Sequence, residues 1–153
     1  MNKYSRQIFV YLFTLISPCL FASAAYAQLK VAQYTCGKQG TIQFEELEFW
    51  TKKGKPSEII YKYGKETRDL RLQYLGKSKN YGDSCFKVQF PNKFTLYVIA
   101  SGLSLKVIDS SGNYNKVFLW HYEGPVNGIG THCDVCAEDD RDAMRILRLA
   151  YMK

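Results

Sequence analysis

Histidine is nearly absent from this 153-residue chain, which has two, and proline is limited to four. No GxSxG elbow, HExxH pair or phosphate-binding GxxxxGK loop occurs, which removes the elbow serine hydrolases, the zincins and the P-loop nucleotide hydrolases from consideration. No internal repeat, low-complexity tract or linker suggests a second domain. A second long hydrophobic run is missing too. After residues 8–21 no stretch is long and apolar enough to span a bilayer, so no transmembrane anchor is expected.

The one hydrophobic run sits at the start. Lys3 and Arg6 precede it, and Ala25-Tyr26-Ala27 follows with the small-x-small pattern of a signal-peptidase site. The expected organisation is a signal peptide over residues 1–27 and a single domain over residues 28–153, working in the periplasm or outside the cell. Cys19 invites a lipoprotein reading, but Pro18 before it and the apolar residues after it favour the soluble exported form. Losing Lys3 and Arg6, and no acid, takes the formal net charge from +7 to +5. Lysine and arginine crowd residues 52–79 while Glu138, Asp139, Asp140 and Asp142 gather near the end. The basic stretch suits an anionic surface, although solvated strands also carry lysine simply to discourage edge pairing. Nucleic acid is not the expected partner.

Four cysteines remain past residue 27: Cys36, Cys85, Cys133 and Cys136. An even number in a small exported domain predicts two disulfides with connectivity left open. A bridge from Cys36 to the end of the chain would close a loop of about 100 residues and contribute up to ~4.7 kcal/mol on the chain-entropy model. Cys133-x-x-Cys136 also fits a thiol-disulfide redox pair at a helix start, and His132 with both cysteines gives a loose zinc set. Structural disulfides are the preferred reading, with no metal and no cofactor expected.

Period-two alternation dominates residues 31–122. Val31, Gln33 and Thr35 alternate with Ala32, Tyr34 and Cys36. Ile42 and Phe44 share one parity and Leu47 and Phe49 the other, which predicts a bulge at Glu45-Glu46. The pattern continues through Ile59, Tyr61 and Tyr63; Leu70, Leu72 and Tyr74; Phe86, Val88 and Phe90; Phe94, Leu96 and Val98; Leu103, Leu105 and Val107; and Phe118, Trp120 and Tyr122. About eight strands separated by turn signals predict a mainly β fold, an antiparallel eight-stranded barrel or sandwich. From about residue 138 to 152 the period becomes helical, with Met144, Leu147 and Tyr151 on one stripe, predicting one C-terminal α-helix packed on the barrel wall or across an open end.

Tyr34-Thr35-Cys36, then Ser111-Gly112-Asn113-Tyr114, Phe118-Leu119-Trp120, Gly124 and Cys133 follow one another in an order that resembles the small exported inhibitors of c-type lysozyme. The resemblance implies an eight-stranded barrel and a binding role, with Ser111 and Tyr114 as contacts. Together with the surplus of tyrosine, which makes good low-entropy contacts, this suggests an exported, non-catalytic protein. It would occlude a wall-active enzyme or toxin of the cell envelope through Ser111, Tyr114, Trp120 and Tyr122. The alternatives are a small-ligand carrier, with a cavity among Tyr61, Phe86, Phe94 and Trp120, and a thiol-disulfide redox protein using Cys133 and Cys136.

Overall fold

The structure is a computed structural model that describes residues 29–127, 131–132 and 144–153. The expected signal peptide, Cys133, Cys136 and the first part of the expected helix lie outside the described residues.

Nine strands follow in order: β1 Leu29–Cys36, β2 Glu45–Lys52, β3 Lys55–Tyr63, β4 Arg68–Lys77, β5 Cys85–Gln89, β6 Thr95–Ser101, β7 Ser104–Asp109, β8 Asn115–Asn127 and β9 Thr131–His132. Each pairs antiparallel with its sequence neighbour, and β8 also returns to β1. The alternating pattern therefore closes into an eight-stranded up-and-down barrel rather than a sandwich, with β9 a two-residue extension on β8. Closure removes every sheet edge from β1 to β8, which an open sheet would have to protect.

Local chemistry sets the connections. Lys53 and Gly54 both have positive φ, 54° and 70°, the two-residue turn whose twist matches a tight hairpin between β2 and β3. Gly37, at φ 81°, ends β1 where a Cβ would stand 2.5 Å from the Gln43 carbonyl oxygen, so no larger residue fits. Residues 38–44 form turns rather than strand, and β2 begins only at Glu45. The parity change between Phe44 and Leu47 thus marks a turn ending, and the bulge expected at Glu45-Glu46 is not there. Register slips fall elsewhere: at Ser57 opposite Trp50 and Thr51, at His121 opposite Gln33 and Tyr34, and between Tyr74 and Lys77. Pro56, which lacks an N–H to give the ladder, sits beside the first of them.

The inner faces supply the core as the alternation predicts. Ala32 and Tyr34, Leu47 and Phe49, Phe86 and Val88, Leu96 and Val98, Leu105 and Val107, and Phe118 are all buried in one cluster. Each large side chain so buried stabilises by about 1.5–3 kcal/mol. Phe94 and Leu103, expected inside, lie beyond the strand ends in turns and are exposed.

The C-terminal helical segment closes one end of the barrel. Arg148 N–H bonds the Met144 carbonyl at 2.9 Å, and Met152 N–H bonds that of Leu147 at 3.0 Å, so the chain widens into a π-helical turn over Leu147–Tyr151. Met144, Ile146, Leu147 and Tyr151 are buried in the barrel core, the stripe read from the sequence. The Tyr151 ring stands 5.5 Å from Phe49, 5.7 Å from Phe86 and 5.1 Å from Tyr74, where β2 and β4 finish and β3 and β5 begin.

The disulfide framework is the main correction. Cys36 and Cys85 are free thiols, neither in a disulfide. The antiparallel order explains why they do not meet each other: Cys36 ends β1 at one end of the barrel and Cys85 opens β5 at the other, whereas a bridge needs Cα atoms within about 7 Å. The described fold is held by its packed interior and its ladders, not by a cystine.

Candidate functional site

The barrel end opposite the helical plug gathers the end of β1, the starts of β2, β6 and β8, and the ends of β3, β5 and β7. Its interior holds a carboxylate. Glu45 is buried, and it accepts hydrogen bonds from the Tyr114 hydroxyl, just before β8, and from the Lys116 ammonium on β8. Burial first, then the hydrogen bond to Glu45, pushes the Tyr114 phenol far above its ordinary value. Burial and the charge of Glu45 do the same to Tyr61. Both phenols therefore stay protonated donors at any physiological pH. The Cys36 thiol is raised in turn by burial and by Glu45, the opposite of what a nucleophilic cysteine needs.

Aromatic rings continue outward from this cluster to the rim. Tyr61 and Tyr63, two apart on one face of β3, are stacked at 5.6 Å, Tyr61 meets Phe90 edge-on at 5.1 Å, and Phe90 reaches Phe94 at 5.9 Å. Phe94 is 40% exposed, and Ile42, on the β1–β2 connection, is 79% exposed beside Tyr63. Ile42 and Phe94 thus place exposed apolar surface at this rim.

The turn between β7 and β8 stands at the same rim, and Asp109 fixes its shape. One Asp109 oxygen accepts the Ser111 hydroxyl at 2.6 Å and the other accepts the Tyr114 N–H at 3.1 Å. These bonds, Ser111 foremost, hold the Asp109 carboxyl below its usual range. Ser111 therefore braces the turn, whose residues from 110 to 113 all face solvent.

A second polar cluster lies on the outer wall. Glu48, almost fully buried, accepts from Gln33 Nε2 at 2.7 Å, Lys62 Nζ at 2.7 Å and Trp50 Nε1 at 2.9 Å. Glu46, two residues away on the same face of β2, stands 3.5 Å from Lys62. Burial and a hydrogen bond to Glu48 push the Glu46 carboxyl up to about 7. Burial alone would raise Glu48 as well, but donation from Lys62, Glu46 and Trp50 outweighs it and holds Glu48 low. Gln33, Thr35, Glu46, Lys62 and His121 line a shallow depression of about 360 Å3 here. Alternation puts Glu45 and Glu46 on opposite faces of β2, and the carboxyl that shares a hydrogen bond with Glu46 is that of Glu48.

The four contact residues expected from sequence are not brought together. Ser111 and Tyr114 belong to the rim and its interior. Trp120 packs against the barrel core, and its Nε1 finds no partner among the described residues. Tyr122 is buried on the outer face with Val31, Leu29 and Trp50, its ring lying over Gly124. Ile42, Tyr63 and Phe94 were missed as rim residues, because alternation assigns them to a core that the strand ends exclude. Among the described residues, no group of three or more His, Cys, Asp or Glu side chains is placed to hold a metal ion. Comparison with protein-family models, curated proteins and solved structures finds no match for this chain.

Proposed function

We propose that the protein is an exported, non-catalytic binding protein that docks the rim of its barrel into a partner of the cell envelope, occluding a wall-active enzyme or a toxin. The supporting observation is the pairing, at one barrel end, of exposed apolar side chains with a turn held rigid by Asp109. Rigid, preformed turns bind at lower entropic cost than mobile ones, and apolar groups at their base exclude water from the contact. The order of short motifs, which resembles that of the lysozyme inhibitors, agrees with a rim-borne contact of this kind, and the leader-like residues 1–27 agree with an envelope address.

The carrier reading draws less support. The space a ligand would need beside Phe86 is taken by the rings of Phe49, Tyr74 and Tyr151, within 6 Å on three sides. The redox reading rests on Cys133 and Cys136, which lie outside the described residues.

Site-specific photocrosslinking tests the proposal. A crosslinker at Asn113 or Phe94 is expected to trap an envelope protein that one at Lys55, exposed at the plugged end, does not. Addition of the purified protein should then inhibit the trapped enzyme, and Phe94→Asp should relieve that inhibition. Equal trapping from all three positions, or trapping from Lys55 alone, sinks the rim as the docking surface.

A further inference from the structure

The other end of the barrel carries a pocket unrelated to the rim. It measures about 320 Å3, at the small end of the range of about 300–1,000 Å3 typical of ligand sites. Its lining divides by chemistry. Ile146 and Ala150, one helical turn apart, supply apolar surface together with Leu149, which is 51% exposed. Lys30, from the start of β1, and Lys53, from the β2–β3 turn, supply positive charge. Arg145 also lines the pocket, but it is engaged by the buried Glu123 through Nε at 3.0 Å and Nη2 at 2.9 Å. Lys30 and Lys53 have no carboxylate within ion-pair reach among the described residues. Lys52, Lys55 and Arg148, all exposed, add to the positive field at this end. Glu58, near the same end, faces Arg71 at 3.7 Å.

We infer that this pocket binds a small anionic amphiphile, a carboxylate or phosphate monoester carrying a short alkyl chain, with its head group between Lys30 and Lys53 and its chain on Ile146, Leu149 and Ala150. The inference follows from two facts taken together. Two ammonium groups with no carboxylate in reach among the described residues gain from an anion that brings no cation of its own. An apolar wall beside them rewards a ligand whose tail can leave water at the same time. A fully polar anion would leave Leu149 wet, and a neutral alkane would leave both lysines unused. The site does not depend on the docking proposal, since it lies at the opposite end of the barrel.

Titration of the full mature chain with octanoate, followed by amide chemical-shift changes, tests it. Saturable binding is expected, with the largest shifts at residues 30, 51–54 and 146–150. The double variant Lys30→Glu/Lys53→Glu should bind about ten-fold more weakly or worse. Leu149→Ser should weaken octanoate while leaving inorganic phosphate, a probe without a tail, as weak as before. Octanol, a probe without charge, should not compete. The inference is overturned if octanoate gives no saturable shifts at millimolar concentration, or if the double variant binds it with unchanged affinity. It is equally overturned if only phosphatidylglycerol vesicles, and not octanoate, bind in a lysine-dependent way, because that outcome marks a basic membrane-facing surface instead.

Discussion

The Tyr151 hydroxyl donates to the backbone carbonyl of Trp50 at 2.8 Å, joining the last turn of the chain to a strand 101 residues earlier. The same hydroxyl lies 3.1 Å from the Glu58 carbonyl, the β-ladder partner of Trp50. Both carbonyls flank the slip at Ser57, where the β2–β3 ladder skips a residue. The helical plug is thus fastened by a hydrogen bond at the point where the sheet's own hydrogen bonding is interrupted, and by ring packing around it.

Replacing Tyr151 separates these contributions. Tyr151→Phe keeps the rings and loses the hydroxyl, so it should cost about 0.5–1.5 kcal/mol. Tyr151→Ala also empties a fully buried site and should cost about 3–5 kcal/mol. Urea denaturation of the two variants measures both, and equal losses would show that the ring packing contributes nothing.

Tyr114→Phe leaves the buried Glu45 carboxylate without one of its donors, Lys116 remaining. The expected loss is about 1–3 kcal/mol, because an unsatisfied buried acceptor costs more than a hydrogen bond gains. Glu45→Gln/Tyr114→Phe, which removes the charge along with the donor, should lose less than the two single losses added together. Strict additivity in the double-mutant cycle would show that the two residues do not interact.

Glu46 imposes a pH signature. Its carboxyl stands near pH 7 in the fold, above the 4.5 of an unperturbed glutamate, so between those values the folded chain binds more protons than the unfolded one. Its contribution to stability is full below about pH 4.5 and is lost as pH rises through about 7. Glu48, held low, acts in the opposite sense, its contribution being lost as pH falls through its folded value. Carboxyl carbon NMR should place the Glu46 midpoint near 7. Glu46→Gln should lose less stability than the parent between pH 5 and pH 8, and an unchanged pH profile would count against the coupled pair.

Burial pushes the Cys85 thiol above its ordinary value and shields it. Iodoacetamide applied to the folded protein without reductant should leave Cys85 unmodified and label the half-buried Cys36 slowly. In denaturant, still without reductant, both should label fully. Mass mapping that finds either cysteine blocked until reduction would contradict the free thiols.

Much of the architecture was legible in order of residues. Strict alternation through Phe86-Val88, Leu96-Val98 and Leu105-Val107 put one side chain in two on an inner face, and turn residues between the runs counted the strands. Met144, Leu147 and Tyr151 announced the helical plug by their spacing. The candidate rim was less legible, because Ile42 and Phe94 look like core residues when position along a strand is unknown. The Glu46–Glu48 pair was hidden for a related reason. An outward-facing glutamate reads as solvated until Gln33, Trp50 and Lys62 arrive from three strands to bury its neighbour.

The cysteines mark the boundary between the two kinds of information. Their number in a chain with an export-like leader indicated bridges, but whether two thiols can meet is a matter of distance, and distance follows from barrel closure. Period, turn chemistry and the helical stripe are local, so the sequence by itself determined strands, hairpins and plug. Closure of β8 on β1, the opposed placement of Cys36 and Cys85, and the burial of Glu45 and Glu48 depend on residues far apart in the chain. Those only the tertiary structure decided, because burial and ion pairing arise where strands from distant parts of the sequence are brought within a few ångströms of one another.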